Sequence, residues 1–262
     1  MASAYPCAMV CGKMNSMETT DGSGWLRAYA EAPQILHEFA AAEDPDGLVR
    51  AALASVLATT TGNPATGCQG HRHNSVLELG CGTVCMAADV AARLGAIWIG
   101  LDSSLEVLQT AAKIGQQGRN VSRRRACLAR RAGSGQILCA RAEQLPLADA
   151  TFDAVIAAWM LSYMPPLAFI SCLQECRRVL RPGGVILAVE NAAHATGMPL
   201  DGRVDRLLDS GFKLAAEVET ELRFSNRQRA LEVTRFLMGT AAPTPNAQGC
   251  IPHRVSLLQL CL

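Results

Sequence analysis

Residues 75 to 94 constrain the fold more than any other stretch of the chain. Val76 to Leu79 is an apolar run interrupted only by Glu78, without the alternation of a strand that has one face in water, so it reads as a strand covered on both faces. Gly80 and Gly82 follow, and the pattern from Cys85 to Leu94 is helical. The two glycines let the backbone turn tightly and come close to a ligand. Free N–H groups at the opening of the following helix are donors for polar ligand groups.

A chain of 262 residues, half of them hydrophobic, is long enough for one domain with appendages. With 24 basic against 23 acidic side chains, no overall field calls for a nucleic acid or a membrane as partner. The longest uncharged apolar run, Ala154 to Ile170, is broken by Pro165-Pro166 and is too short for a membrane span. The N-terminus lacks a signal pattern, so the eleven cysteines read as reduced thiols of a cytoplasmic protein. The Cys172/Cys176 and Cys7/Cys11 pairs lack repeated zinc spacing, and Cys68, His71 and His73 fall in a Gly-rich linker, so no metal site is assigned.

The chain divides into a disordered N-terminus over 1–22, two helices and a linker over 23–74, a main domain over 75–240, and a tail over 241–262 that carries no assignment. Trp25 and Tyr29 lie on the first of the two helices, as candidates for a substrate wall. Strands are expected at 96–101, 137–140, 152–157, 185–189, 212–218 and 231–238, the last two as a closing hairpin. Helices are expected at 105–114, 169–180 and 204–208. The alternation predicts a doubly wound α/β fold, mostly parallel, with helices on both faces and its site at the strands' carboxyl ends. The five arginines Arg123, Arg124, Arg125, Arg130 and Arg131 lack interleaved aromatics and read as a solvated insertion rather than a nucleic-acid surface.

Asp102 ends the second strand about twenty residues after the glycine turn, where a carboxylate accepts hydrogen bonds from the ribose hydroxyls of an adenosine. The same Asp102-Ser103-Ser104 sequence also reads as a helix start. A nicotinamide dehydrogenase shares the strand, the turn and the acid, but its third glycine position is occupied here by Cys85.

Taken together, Glu78-Leu-Gly-Cys-Gly-Thr83, Asp102, Glu143-Gln-Leu-Pro146, Phe152-Asp153 and Arg181-Pro-Gly-Gly184 resemble the class I S-adenosylmethionine-dependent methyltransferases over 75–238. The resemblance implies a seven-stranded Rossmann-like sheet and S-adenosylmethionine as cofactor, with S-adenosylhomocysteine as product. It implies that Glu78, Gly80, Cys81, Gly82 and Thr83 pass under the methionine part, that Asp102 and Ser103 hold the ribose, that Ala142 and Glu143 border the adenine, and that Ala158 approaches the methionine. The C-terminal half is most similar to the protein α-N-terminal methyltransferases, in which the residues matching Trp159 and Asn191 hold the substrate's terminal residues, with Tyr163 in place of a histidine. The implied substrate is a small molecule or a peptide, including a protein N-terminal amine.

Two residues depart from the family pattern. Val84 stands at the third glycine position, where a β-branched side chain narrows the space and disfavours unusual backbone angles. Arg141 stands where many relatives carry an aspartate. Both predict weaker cofactor binding and make a non-catalytic relative the alternative. Because the methyl of the cofactor is already activated, the protein has to align the reactants, exclude water and present an unprotonated nucleophile. Glu190, Tyr163 and His194 are the candidates to take its proton.

Overall fold

In the computed structural model, residues 28–29, 31–60, 74–118, 135–192 and 203–262 are described. Trp25, His194, the five arginines of the insertion and the Cys68, His71, His73 cluster lie outside them. One sheet runs through the molecule: β1 (Ser75–Leu79), β2 (Ile97–Asp102), β3 (Gln136–Cys139), β4 (Phe152–Ala158), β5 (Leu180–Asn191), β6 (Lys213–Arg223) and β7 (Cys250–Cys261). Its order is β3-β2-β1-β4-β5-β7-β6. The first five strands are parallel, and β7 runs antiparallel to both of its neighbours. The expected α/β class, mostly parallel with an antiparallel C-terminal pair, is therefore the observed one.

Every residue of β1 is buried, with Leu77 and Leu79 in the core on one face of the sheet and Val76 in the core on the other. That two-sided burial is what an apolar run without alternation requires. The register sets Leu79 beside Leu101 of β2 and Ala157 of β4. Gly80, Asp102 and Ala158, each one residue further on, therefore emerge together at the carboxyl edge.

The helices are α1 (Pro33–Ala42), α2 (Leu48–Thr60), α3 (Met86–Leu94), α4 (Leu105–Gly118), α5 (Pro166–Val179), α6 (Arg203–Asp209) and α7 (Arg227–Met238). Gly95, in the left-handed conformation, ends α3 by donating its N–H to the Ala91 carbonyl. Asp44 starts α2 by accepting the N–H groups of Val49 and Arg50. Leu36, Phe39 and Ala42 of α1 share a core with Val107 of α4, Leu222 of β6 and Val233 and Leu237 of α7. Because α4 follows β2 and α7 follows the edge strand β6, a helix that packs on both crosses over the carboxyl edge of the sheet.

The opposite edge is closed by the other shared motifs. Asp153 accepts hydrogen bonds from the Asn74 and Ser75 N–H groups, the Ser75 hydroxyl and the Arg181 guanidinium, the last at 2.6 Å. Burial pushes its carboxyl up, and the bonds from Arg181, Ser75 and Asn74 together outweigh this and hold it below the usual range. A Cβ on Gly184 would lie 2.9 Å from the Arg181 carbonyl oxygen, so the close turn into β5 excludes any larger residue.

Three expectations are corrected. Residues 231–238 form helix rather than strand, because Asn226 caps the helix by accepting the Arg229 N–H and Ala230, Val233, Thr234 and Leu237 are buried at helical spacing. The strand that pairs with β6 is β7, from the tail that had no assignment. It contains Pro252, which falls where β7 pairs with β6 alone, a position that tolerates the missing N–H. Finally, Cys81, Cys85, Cys139, Cys172, Cys176 and Cys250 are free thiols, whereas Cys261 is disulfide-bonded.

Candidate active site

The glycine turn after β1 is pinned to the end of β2. Cys81 donates its N–H to the Leu101 carbonyl at 2.9 Å, and Gly82 donates its N–H to Asp102 Oδ2 at 3.0 Å. Gly80 and Gly82 both have φ near +60°, and a Cβ on Gly80 would come within 3.0 Å of Met160 Cγ, so two independent reasons require glycine there. Val84 does not share this conformation: among the described residues only Ala150 and Trp159 are non-glycines with positive φ. The departure from glycine at position 84 therefore carries no backbone strain.

Glu78 faces away from the turn's open side. Its oxygens accept the N–H groups of Met86 and Ala87 and the Cys85 thiol, so the carboxyl holds the opening of α3 in place. Burial pushes its pKa up to about 7. Cys81 also turns inward, against Gly100 of β2, and offers the site only its backbone. Of the residues expected to bind cofactor, these two position the loop.

Asp102 is 4% exposed. Oδ1 accepts the Ser104 N–H at 2.9 Å, while the Ser104 hydroxyl accepts the Val107 N–H and so supplies the cap of α4. Burial pushes the Asp102 carboxyl above its usual range, and each oxygen keeps lone-pair capacity for a hydroxyl donor. Ser103 is exposed beside it. The Ala140 N–H reaches the Asp102 carbonyl, which brings the end of β3 alongside, with Ala142 buried and Glu143 in an ion pair with Arg141 at 2.5 Å. That pair compensates the charge of Arg141 within its own loop.

At the end of β4, Trp159 adopts φ +49°, a conformation that costs a bulky residue on the order of 1–3 kcal/mol and persists only where the surroundings hold it. Its N–H donates to the Val189 carbonyl, and its indole N–H donates to Asn191 Oδ1 at 3.1 Å. The same oxygen lies 2.7 Å from His253 Nε2. Because the indole is a donor only, the atom facing both rings is oxygen, and His253 carries its proton on Nε2. The two rings stack at 6.3 Å. His253 is 3% exposed, and burial pulls its pKa down to about 4, so it is neutral at physiological pH.

Glu190 is fully buried at the end of β5 and accepts the Ser162 N–H. Glu43, which follows α1, is also buried. Burial pushes the Glu43 carboxyl well up; Arg50 opposes this, and Asp44 and Glu190 add to it. Tyr29 is 40% exposed as a residue, and its hydroxyl is shifted upward, first by desolvation of the hydroxyl itself and then by Asp102, Glu43, Tyr163 and Cys81. Tyr29, Tyr163, Glu190 and Asp102 thus belong to one electrostatic cluster. His37 of α1 joins it to the glycine turn through a 3.0 Å contact with the Thr83 hydroxyl.

The sequence reading placed Trp159, Asn191, Tyr163, Glu190 and Tyr29 at the site, and the fold brings them to the same edge. It missed His37, Glu43 and His253. Each lies in a segment without a motif, and pairing across 62 residues for His253 with Asn191 leaves no local signal.

Residues 77–188 match the family described as a methyltransferase domain. The strand order and pairing above are those of a doubly wound, mostly parallel α/β sheet with an antiparallel C-terminal pair. The probable methyltransferase ltbC of Aspergillus luteorubrus is 42% identical over 74 residues, which are 28% of this chain and 26% of that protein, so the shared segment spans about a quarter of that relative. An S-adenosylmethionine-dependent methyltransferase from Methanosarcina mazei is 16% identical with a TM-score of 0.46, covering 73% of this chain and 94% of its own. One from Aquifex aeolicus is 16% identical with a TM-score of 0.42, covering 70% and 81%.

Proposed function

We propose that the protein is an S-adenosylmethionine-dependent methyltransferase acting on a nitrogen or oxygen nucleophile of a small molecule or peptide. The observation that carries this reading is the unit of Gly80, Gly82 and Asp102, within a stretch that matches a methyltransferase domain. These residues fit the cofactor: a Cβ on Gly82 would meet nothing closer than 4.0 Å, and Asp102 is a buried carboxylate with capacity to accept hydroxyl donors. Ala142 and Ala158 border the same edge with small side chains.

When bound, S-adenosylmethionine supplies a methyl group already activated by its sulfonium. The glycine turn and Asp102 would hold the cofactor. The α1 helix, tied to the turn through His37 and Thr83, covers the carboxyl edge and limits entry of water. Trp159, fixed through Asn191 to His253, forms a rigid wall where the acceptor would lie. Since Asn191 Oδ1 already accepts two donors, its role is to hold Trp159, and only its Nδ2 is left to bind a peptide terminus. Glu190 is the group best placed to take a proton from the acceptor. A protein N-terminal amine falls within the acceptor class. Val84 lends no support to a non-catalytic relative, because its backbone is relaxed.

The test is calorimetric titration with S-adenosylmethionine, followed by incubation with the methyl-labelled cofactor and a panel of small amines, phenols and peptides with free N-termini. Saturable binding and labelled product are expected. Absence of both rejects the reading.

A further inference from the structure

Pro165 and Pro166 leave a gap in the hydrogen bonding of the loop that carries Trp159 and Tyr163. After β4 the chain makes one short turn over Leu161–Tyr163, in which the Met160 and Leu161 carbonyls accept the N–H groups of Tyr163 and Met164. The Ser162 carbonyl is next in line, but its partners three and four residues on would be Pro165 and Pro166, which have no N–H. Ser162 is buried, so its carbonyl needs a donor from elsewhere. Arg206 of α6 supplies one. Its Nη1 donates to the Ser162 carbonyl at 3.3 Å and to the Met164 carbonyl at 2.5 Å, the two residues that flank Tyr163. The guanidinium lies over the Phe169 ring of α5, with its carbon 4.3 Å from the ring centre, a placement that the π face favours. Leu207, the next residue, belongs to the same core as Leu161 and Phe169, so α6 is anchored beside the loop that its arginine holds.

We propose that Arg206 is a positioning residue for the methyl acceptor: by clamping the loop from α6 it sets Trp159 and Tyr163, and it touches neither cofactor nor acceptor itself. The proposal rests on the methyltransferase reading above and adds to it the group that shapes the acceptor wall. From the sheet, the loop is held by β5, whose Val189 carbonyl accepts the Trp159 N–H and whose Glu190 carboxyl accepts the Ser162 N–H. Arg206 is the anchor from outside the sheet. Charge-assisted bonds from one rigid, planar group fix two carbonyls at once. An in-line transfer needs that precision, because displacing a reactant by about 1 Å costs up to about a hundredfold in rate. The glycine turn is held separately, by its own bonds to Leu101 and Asp102, so loss of the clamp falls on the acceptor and spares the cofactor.

The test compares the wild type with Arg206→Met, which keeps an unbranched side chain but has no donor, and with Arg206→Lys, whose ammonium donates but has no planar face for Phe169. Each full chain is labelled with 3-fluorotyrosine, and the Tyr163 fluorine signal is assigned by its loss in Tyr163→Phe. Arg206→Met should shift or broaden that signal, and Arg206→Lys should bring it back toward the wild-type position. With S-adenosylmethionine and an acceptor found in the labelling panel, kcat/KM for the acceptor should fall by about tenfold or more in Arg206→Met and recover in part in Arg206→Lys. S-adenosylhomocysteine affinity, measured by calorimetry, should stay within about twofold of wild type. A Tyr163 signal that Arg206→Met leaves unmoved overturns the proposal, as does a moved signal with wild-type acceptor kinetics. An equal loss of S-adenosylhomocysteine affinity also overturns it, by showing that the arginine serves the fold as a whole. Should Arg206→Met fail to fold, Arg206→Lys carries the same comparison, with a smaller shift and a smaller fall expected. If the wild type neither binds S-adenosylhomocysteine nor labels any acceptor, the methyltransferase reading fails separately, and the Tyr163 signal still decides whether Arg206 clamps the loop.

Discussion

Asp102 Oδ2 accepts the backbone N–H of Gly82 at 3.0 Å, which makes the acid at the end of β2 and the turn after β1 a single unit. Oδ1 is held in the same way by the Ser104 N–H. Both oxygens thus face donors, and the carboxylate cannot turn away from the site without losing one of them.

Replacing Asp102 by Asn should break this unit. Whichever way the amide is oriented, its NH2 group meets a backbone N–H, and a buried donor without an acceptor costs roughly 1–3 kcal/mol. Thermal unfolding should register that loss. Calorimetry should show S-adenosylmethionine affinity lowered by about tenfold or more, equivalent to roughly 1.4 kcal/mol. A variant with wild-type stability and affinity would show that the loop is organised by other contacts.

His253 gives a pH signature of defined sign. Its folded-state pKa is lowered to about 4 by burial, against about 6.5 in an unfolded chain. Between these values the unfolded state binds more protons, so stability rises with pH. The contribution is complete above about pH 6.5 and is lost progressively down to about pH 4, an effect on the order of 3 kcal/mol. Urea unfolding of the wild type and His253→Phe across pH 4 to 7 isolates it, since other titrating groups are common to both proteins. Stability curves that run parallel through that window would rule the contribution out.

The parallel half of the sheet and the turns at its carboxyl edge were legible because local sequence determines them. Apolar runs without alternation give strands covered on both faces, and glycines that must adopt positive φ stand next to them. The C-terminal half was less legible. The β-branched and aromatic residues Val233, Thr234 and Phe236 suggest a strand, but the Asn226 cap and the burial of Ala230, Val233 and Leu237 decide for helix. In β7, Pro252 and His253 interrupt the apolar pattern, and its place between β5 and β6 follows from long-range pairing. His253 is absent from any motif for the same reason: only its pairing with Asn191, 62 residues away, gives it a part in the site.

Asn226→Ala tests the helical assignment directly. The Asn226 side chain accepts the Arg229 N–H at 2.9 Å, and loss of such a cap costs typically about 1 kcal/mol. A lower unfolding midpoint is expected. Restoration of stability by Asn226→Asp or Asn226→Ser, both good caps, would separate capping from loss of packing. An alanine variant as stable as the wild type would count against the capped helix.

Val84→Gly addresses one of the two residues that depart from the pattern of the family the sequence resembles. If the valine crowded the cofactor or strained the turn, glycine would raise S-adenosylmethionine affinity. The turn has its positive φ values at Gly80 and Gly82 and an ordinary one at Val84, so there is no backbone strain for glycine to relieve. Glycine would instead widen the range of unfolded conformations, at a cost of about 0.4–1 kcal/mol. The expected result is a slightly lower unfolding midpoint with cofactor affinity within about twofold of wild type, a difference of roughly 0.4 kcal/mol. A tenfold gain in affinity would show that the side chain, rather than the backbone, limits the site.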